Sequence, residues 1–267
     1  MNYIIITNDS GTAYNCLPHR DIYPMIDLEN LGKKDRQKGN ENYISDHTLD
    51  DLYRLASFFP ADRLIARCNP IHNTIDREIE NILKTGTKNI MFPMFQSPQE
   101  VETLVNIIDG RSRIFLLVET PAAVLRLPQI AAIAPKNSVF HLGLNDLRLA
   151  LNLNHIFESL SSGFIRFALD KIKNLGFEYG FGGVGLNPND AVPAKLILAY
   201  HKTFGSRWVI LSRSFQSIAR HDFSEAYRQI TSYYNETTTI NISHWSKIEH
   251  EVEKCLKKIR LMNPLED

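Results

Sequence analysis

The chain has few cysteines, no net charge and no long apolar run. Cys16, Cys68 and Cys255 are scattered and odd in number, which excludes a disulfide framework and any CxxC metal site. Thirty basic residues balance thirty acidic ones, so whole-chain charge gives no reason to expect nucleic acid or an anionic membrane as partner. No run approaches the roughly 18 apolar residues that a membrane span needs. Met1 to Asp9 lack a basic n-region, and their apolar stretch is too short for a signal peptide, so the chain is expected to be cytoplasmic. Without secretion, the glycosylation patterns at Asn235–Thr237 and Asn241–Ser243 mean nothing. No HExxH or paired Cys/His spacing points to zinc.

The chain does contain a regular alternation. Eight short apolar runs are expected as strands: Tyr3–Thr7, Ile22–Asp27, Leu64–Arg67, Asn89–Pro93, Ile114–Glu119, Val139–Gly143, Phe177–Gly185 and Trp208–Ser212. Most are almost continuously apolar, as parallel strands buried on both faces must be. Helical patterns fill the gaps. Thr48–Asp51 reads as an N-terminal cap, Ile75, Ile79, Ile82 and Leu83 form a stripe, and Val101, Leu104, Val105 and Ile108 form another. Further helices are expected over Pro121–Ile133, before Gly176, over Ala191–Phe204 and over Phe215–Tyr234. Eight strand–helix repeats in one chain predict a (β/α)₈ TIM barrel over residues 1–234, with a doubly wound sheet as the structural rival that periodicity alone leaves open. Its first crossover, Asn8–Arg20, has room for little more than a turn of helix. Residues 235–267 read as a linker followed by an extra C-terminal helix. Ser246–Glu249 is the capping box of that helix, whose apolar face would pack on the barrel or on a neighbouring subunit.

Chemistry in such a barrel gathers at the C-terminal ends of the strands. Reading off those ends gives Asp27 and Glu29, Arg67 and Asn69, Pro93, Glu119 and Thr120, Asn145 and Asp146, Gly185, and Arg213. Glu119 and Asp146 each close an apolar run and are separated by one helix-sized segment. Two carboxylates on one rim suit a hard divalent cation.

Ile114–Ala123 (IFLLVETPAA) followed by Val139–Leu147 (VFHLGLNDL) resembles the metal-binding strands of the HpcH/HpaI aldolase and citrate lyase β-subunit family. Tyr23–Asn30 (YPMIDLEN) is similar to the "DLED" region of the citrate lyase branch. Ile65–Pro70 (IARCNP) resembles its "VRVN" strand, and Asn89–Val101 (NIMFPMFQSPQEV) its "ILPKVESAEEV" stretch. The resemblance implies a carbon–carbon lyase that works through an enolate of a 2-oxo acid or an acyl-CoA ester. Glu119 and Asp146 would hold Mg²⁺ (or Mn²⁺). Arg67 would clamp the substrate carboxylate or the enolate oxygen, with Asp27 and Glu29 beside it. Asn69, Pro93, Thr120, Asn145 and Gly185 complete the expected substrate contacts. The partner would be a small oxo acid or acyl-CoA, and the assembly a trimer or hexamer.

Three departures from the family pattern stand out. Asn30 occupies the position of the aldolase branch's histidine base, Leu117 that of a glutamine, and Met94 that of a lysine. Two other functions therefore stay open: a catalytically degenerate barrel that binds a carboxylate, and a phosphoenolpyruvate-type mutase or lyase with a phosphate cluster around Gly185 and Arg213. The literal G-x-G-x-x-G of Gly180–Gly185 lies late in the chain and lacks the downstream acidic residue of a dinucleotide site. His141 is expected to be a hydrogen-bonded core histidine.

Overall fold

The computed structural model describes residues 1–33, 45–161, 163–187, 190, 192–237 and 245–262. Eight strands close into a barrel in sequence order, β1-β2-β3-β4-β5-β6-β7-β8, and every neighbouring pair is parallel. They are β1 Asn2–Ile6, β2 Ile22–Asp27, β3 Ile65–Arg67, β4 Asn89–Phe92, β5 Arg113–Val118, β6 Val139–Gly143, β7 Glu178–Gly182 and β8 Trp208–Leu211. The chain is the (β/α)₈ barrel its alternation predicts.

Period-two alternation sorts each strand into an outward and an inward row. Outward residues such as Ile5, Ile26, Ala66, Leu116, Phe140 and Val209 join the main core beneath the helices. Inward residues form a separate apolar plug: Ile4, Met25, Ile65, Met91, Phe115, Leu117, Val139 and Trp208. Two residues further along, the same inward rows carry Asp27 after Met25, Arg67 after Ile65, Glu119 after Leu117 and His141 after Val139. The polar layer therefore sits directly above the plug.

The helices are α1 Ser10–Cys16, α2 Leu49–Ala56, α3 Ile75–Lys84, α4 Pro98–Ile108, α5 Pro121–Leu125, α6 Leu127–Ile133 and α7 Leu144–Ala150. They continue with α8 Glu158–Ser161, α9 Phe164–Asn174, α10 Ala194–Phe204, α11 Arg213–Ala219, α12 Phe223–Glu236 and α13 Trp245–Met262. The first crossover is short but holds a seven-residue helix, one turn more than expected, with Asp9 accepting the Thr12 N–H at 2.7 Å as its cap. Thr48 and Asp51 form the anticipated capping box of α2. Two expected helices are each divided. Pro128 begins a new helix after Arg126, and Asp222 caps α12 by accepting the Glu225 N–H.

The β6–β7 crossover holds α7 and α8, which the apolar pattern did not reveal. Consequently Asp146 does not end a strand; it lies in the first turn of α7, three residues beyond β6. Helix α12 extends through Glu236, and most of the expected linker lies outside the described residues. The side chains of the Ser246–Glu249 capping box also lie outside them. Helix α13 packs on α8 and α10 through its buried Val252 and Leu256. No helix among the described residues is long and apolar enough to cross a membrane.

Candidate active site

A cavity of about 580 Å³ opens above the apolar plug at the C-terminal ends of the strands. Its wall includes Asp27, Glu29, Arg67, Glu119, His141, Asn145 and Asp146. Arg148, Arg213 and Arg220 lie on the same wall.

The wall from β2 and β3 is an ion network. Arg67 presents a planar fork to Asp27, with Nε to Oδ1 at 2.8 Å and Nη2 to Oδ2 at 2.6 Å, while Nη1 lies 3.4 Å from Glu29. Asp27 also accepts from Lys33 Nζ at 2.7 Å, Ser45 Oγ at 2.7 Å and the Glu29 N–H at 3.2 Å. Burial alone would raise the Asp27 carboxyl, but Arg67 and Lys33 outweigh it and hold it well below the usual carboxylate range. Five donors saturate Asp27, so it orients Arg67 and has no capacity left to take a proton. Of the five N–H groups on Arg67, Asp27 takes two, and Glu29 adds an ion pair to Nη1.

The wall from β5, β6 and α7 is different. Glu119 is 3% exposed and, among the described residues, accepts one hydrogen bond, from the Met94 N–H at 3.0 Å. Met94 reaches it in a left-handed conformation, φ 57°, which aims the amide at the carboxylate. Burial first, then the charges of Asp146 and Glu29, push the Glu119 carboxyl well above its ordinary value, against the pull of Arg67. Gly143 makes room for this side chain, since a Cβ there would stand 2.6 Å from Glu119 Oε2.

Several residues expected at the site serve elsewhere. Asn69 is a loop staple: its Oδ1 accepts the N–H groups of Asn30 and Leu31 at 2.9 Å, and its amide donates to Leu28 O and Glu78. It lines a second, shallower cavity together with Asn30. Thr120 caps α5, accepting the Ala123 N–H at 3.1 Å and donating to Phe95 O at 2.9 Å. Pro93 is buried off the cavity wall. Gly185 also lies off that wall, where a Cβ would collide with Ser214 Oγ and Ser212 Oγ. Of the expected substrate contacts, only Arg67 and Asn145 face the cavity. The Gly180–Gly185 run ends a strand rather than opening a helix, and α10 starts only at Ala194.

Two histidines carry more than the sequence suggested. His47 lies on the wall of both cavities, and its Nδ1 accepts the backbone N–H of Asp27 at 3.0 Å. That bond assigns its proton to Nε2, and burial lowers its basicity, so it stands as a fixed neutral donor. The only sequence signal was its place just before the capping box. His141 is fully buried as expected, but among the described residues neither ring nitrogen has a hydrogen-bond partner.

A family model, HpcH/HpaI aldolase/citrate lyase, matches residues 25–172, more than half of the chain. Solved structures share the fold at low identity. An HpcH/HpaI aldolase/citrate lyase family protein from Burkholderia cenocepacia J2315 is 15% identical, with 86% of this chain and 94% of that chain covered and a TM-score of 0.62. An HpcH/HpaI aldolase from Desulfitobacterium hafniense DCB-2 is 12% identical, with 86% and 92% covered and a TM-score of 0.61. The citrate synthase SbnG is 15% identical, with 86% and 94% covered and a TM-score of 0.59. No curated protein sequence matches.

Proposed function

Because the chain belongs to the HpcH/HpaI aldolase/citrate lyase family, we propose that it is a divalent-metal-dependent carbon–carbon lyase acting on a 2-oxo acid or an acyl-CoA ester. One observation carries this reading: Glu119 and Asp146 share a cavity with Glu29 and the oriented guanidinium of Arg67. The residues present fit a magnesium-type ion. Among the described residues no three acidic, histidine or cysteine side chains form a closed metal cage. Magnesium does not need one, since it keeps several waters and binds through one or two carboxylates. A buried carboxylate with one hydrogen bond and two acidic neighbours is a place where a cation relieves repulsion. Held by Glu119 and Asp146, the cation would supply Lewis acidity toward the oxygens of the oxo acid.

The chain's own residues account for the rest. In the cleavage direction a base takes the substrate's hydroxyl proton, and that oxygen's electron pair becomes a new carbonyl bond. The carbon–carbon bond breaks, and its electron pair comes to rest on the enolate oxygen. The donors of Arg67 that face the cavity stabilise that oxygen, and Asp27 and Lys33 keep the guanidinium in place. Asp27 is saturated and His47 is locked as a donor, so Glu29 is the carboxylate we assign to carry the proton. Replacing it with glutamine is expected to lower kcat about 10²–10⁴-fold with little change in KM.

Turnover of a panel of aldol and acyl-CoA substrates with Mg²⁺, compared between the wild type and Glu119→Gln, tests the reading. A second reading, a barrel that binds an acid without converting it, is favoured by the saturation of Asp27 and by Asn30 at the histidine position. Oxo-acid binding without turnover of any substrate in the panel would support it.

A further inference from the structure

His141 lies on strand β6 in register with Leu117 of β5 and Gly180 of β7, one inward step above Val139 of the apolar plug. It is 0% exposed, yet it forms part of the cavity wall. Neither Nδ1 nor Nε2 has a hydrogen-bond partner among the described residues. A neutral imidazole has one N–H to give and one lone pair to fill, and leaving both unmet in the interior carries a penalty that a plain core position avoids with leucine or phenylalanine. A glycine packs against the ring: Gly182 lies directly beside it, where a Cβ would approach Cε1 to 3.1 Å.

We propose that His141 is a specificity-determining ligand contact: from the cavity floor it donates a hydrogen bond to an oxygen of a small planar acid whose other oxygens face Arg67 and the Glu119–Asp146 pair. This rests on the proposed function above and adds to it a recognition element at a position where the apolar plug would otherwise continue. Burial, and secondarily Arg67, push the imidazole down to about 3, so it stays neutral near pH 7 and acts as a donor rather than as a proton carrier. His47 contributes another fixed donor on the same wall.

The test is calorimetric titration of oxalate into the full chain at saturating Mg²⁺, for wild type, His141→Phe and His141→Gln, with the thermal midpoint of each ligand-free protein. His141→Phe is expected to bind Mg²⁺ as the wild type does and oxalate about 10- to 100-fold more weakly, as for a lost hydrogen bond to a charged group. Its ligand-free midpoint should be unchanged or higher, because an unmet buried polar group has been removed. His141→Gln, which restores an N–H, should recover part of the affinity and also guards against poor folding of the phenylalanine variant. Equal oxalate affinity in all three proteins overturns the role of His141 and leaves the lyase reading intact. A wild type that binds no oxalate, with or without Mg²⁺, overturns both.

Discussion

The two walls of the cavity treat buried charge in opposite ways. On the β2–β3 wall, Asp27 receives five hydrogen bonds and is matched by Arg67 and Lys33. On the β5–β6 wall, Glu119 accepts one hydrogen bond among the described residues, and His141 makes none. The first wall is satisfied within the folded chain, whereas among the described residues the second leaves a carboxyl group and an imidazole short of partners. Buried polar groups are ordinarily satisfied. The wall that departs from the rule is the one to which we assign the cation, and the wall that obeys it holds the arginine still.

This contrast can be broken by mutation. The largest effect on folding is expected from Arg67→Ala, which leaves the buried Asp27 and Glu29 with Lys33 as their remaining counter-charge and should cost about 3–5 kcal/mol in chemical denaturation. A loss below about 1 kcal/mol would mean that the network is not a structural unit. Glu119→Gln should act the other way. Turnover should fall at least 10²–10³-fold, while the metal-free protein melts at the same temperature or higher because a buried acid beside two acidic neighbours is gone. A lower melting point would show that Glu119 is already satisfied.

Gly143→Ala adds one methyl group against Glu119 Oε2. Magnesium affinity should drop about 10–100-fold, as when a supporting contact around a metal site is disturbed. Unchanged affinity would place the ion elsewhere.

Acid separates the walls by sign. The Asp27 carboxyl is depressed in the folded state, so its stabilisation is full above its unfolded value near pH 4 and is lost as pH falls from there toward the folded value. Denaturation midpoints measured between about pH 5 and 2 should fall more steeply for the wild type than for Asp27→Asn; parallel curves would contradict the assignment. The smallest effect is expected from Asp222→Ala, which uncaps α12 at a residue that does not line the cavity. It should cost about 1 kcal/mol and leave turnover unchanged.

Much of the architecture was legible because buried parallel strands announce themselves as apolar runs, and the chain carries eight of them with helical patterns in most of the gaps. Where the sequence misled, polar residues had two possible uses. Thr120, just before Pro121, carries the signal of a helix cap, and it caps α5 off the cavity wall. Asn69 reads as a rim donor but spends its amide on the loop after β2. Asp146 lies in a helix rather than at a strand end because α7 begins directly after Gly143, with Leu144, Leu147 and Leu149 as its apolar marks among polar residues. The inward face of His141 follows from periodicity. Its lack of a partner does not, because partners come from β5 and β7, strands distant in sequence.

The most direct measurement is Mn²⁺ binding followed by electron paramagnetic resonance in the wild type, Glu119→Gln and Asp146→Asn. The account predicts one tightly held ion per wild-type chain, displaced by Mg²⁺ and lost in both variants, with Arg67→Lys retaining it. Tight binding that persists in both carboxylate variants, or its absence from the wild type at saturating Mn²⁺, would contradict it.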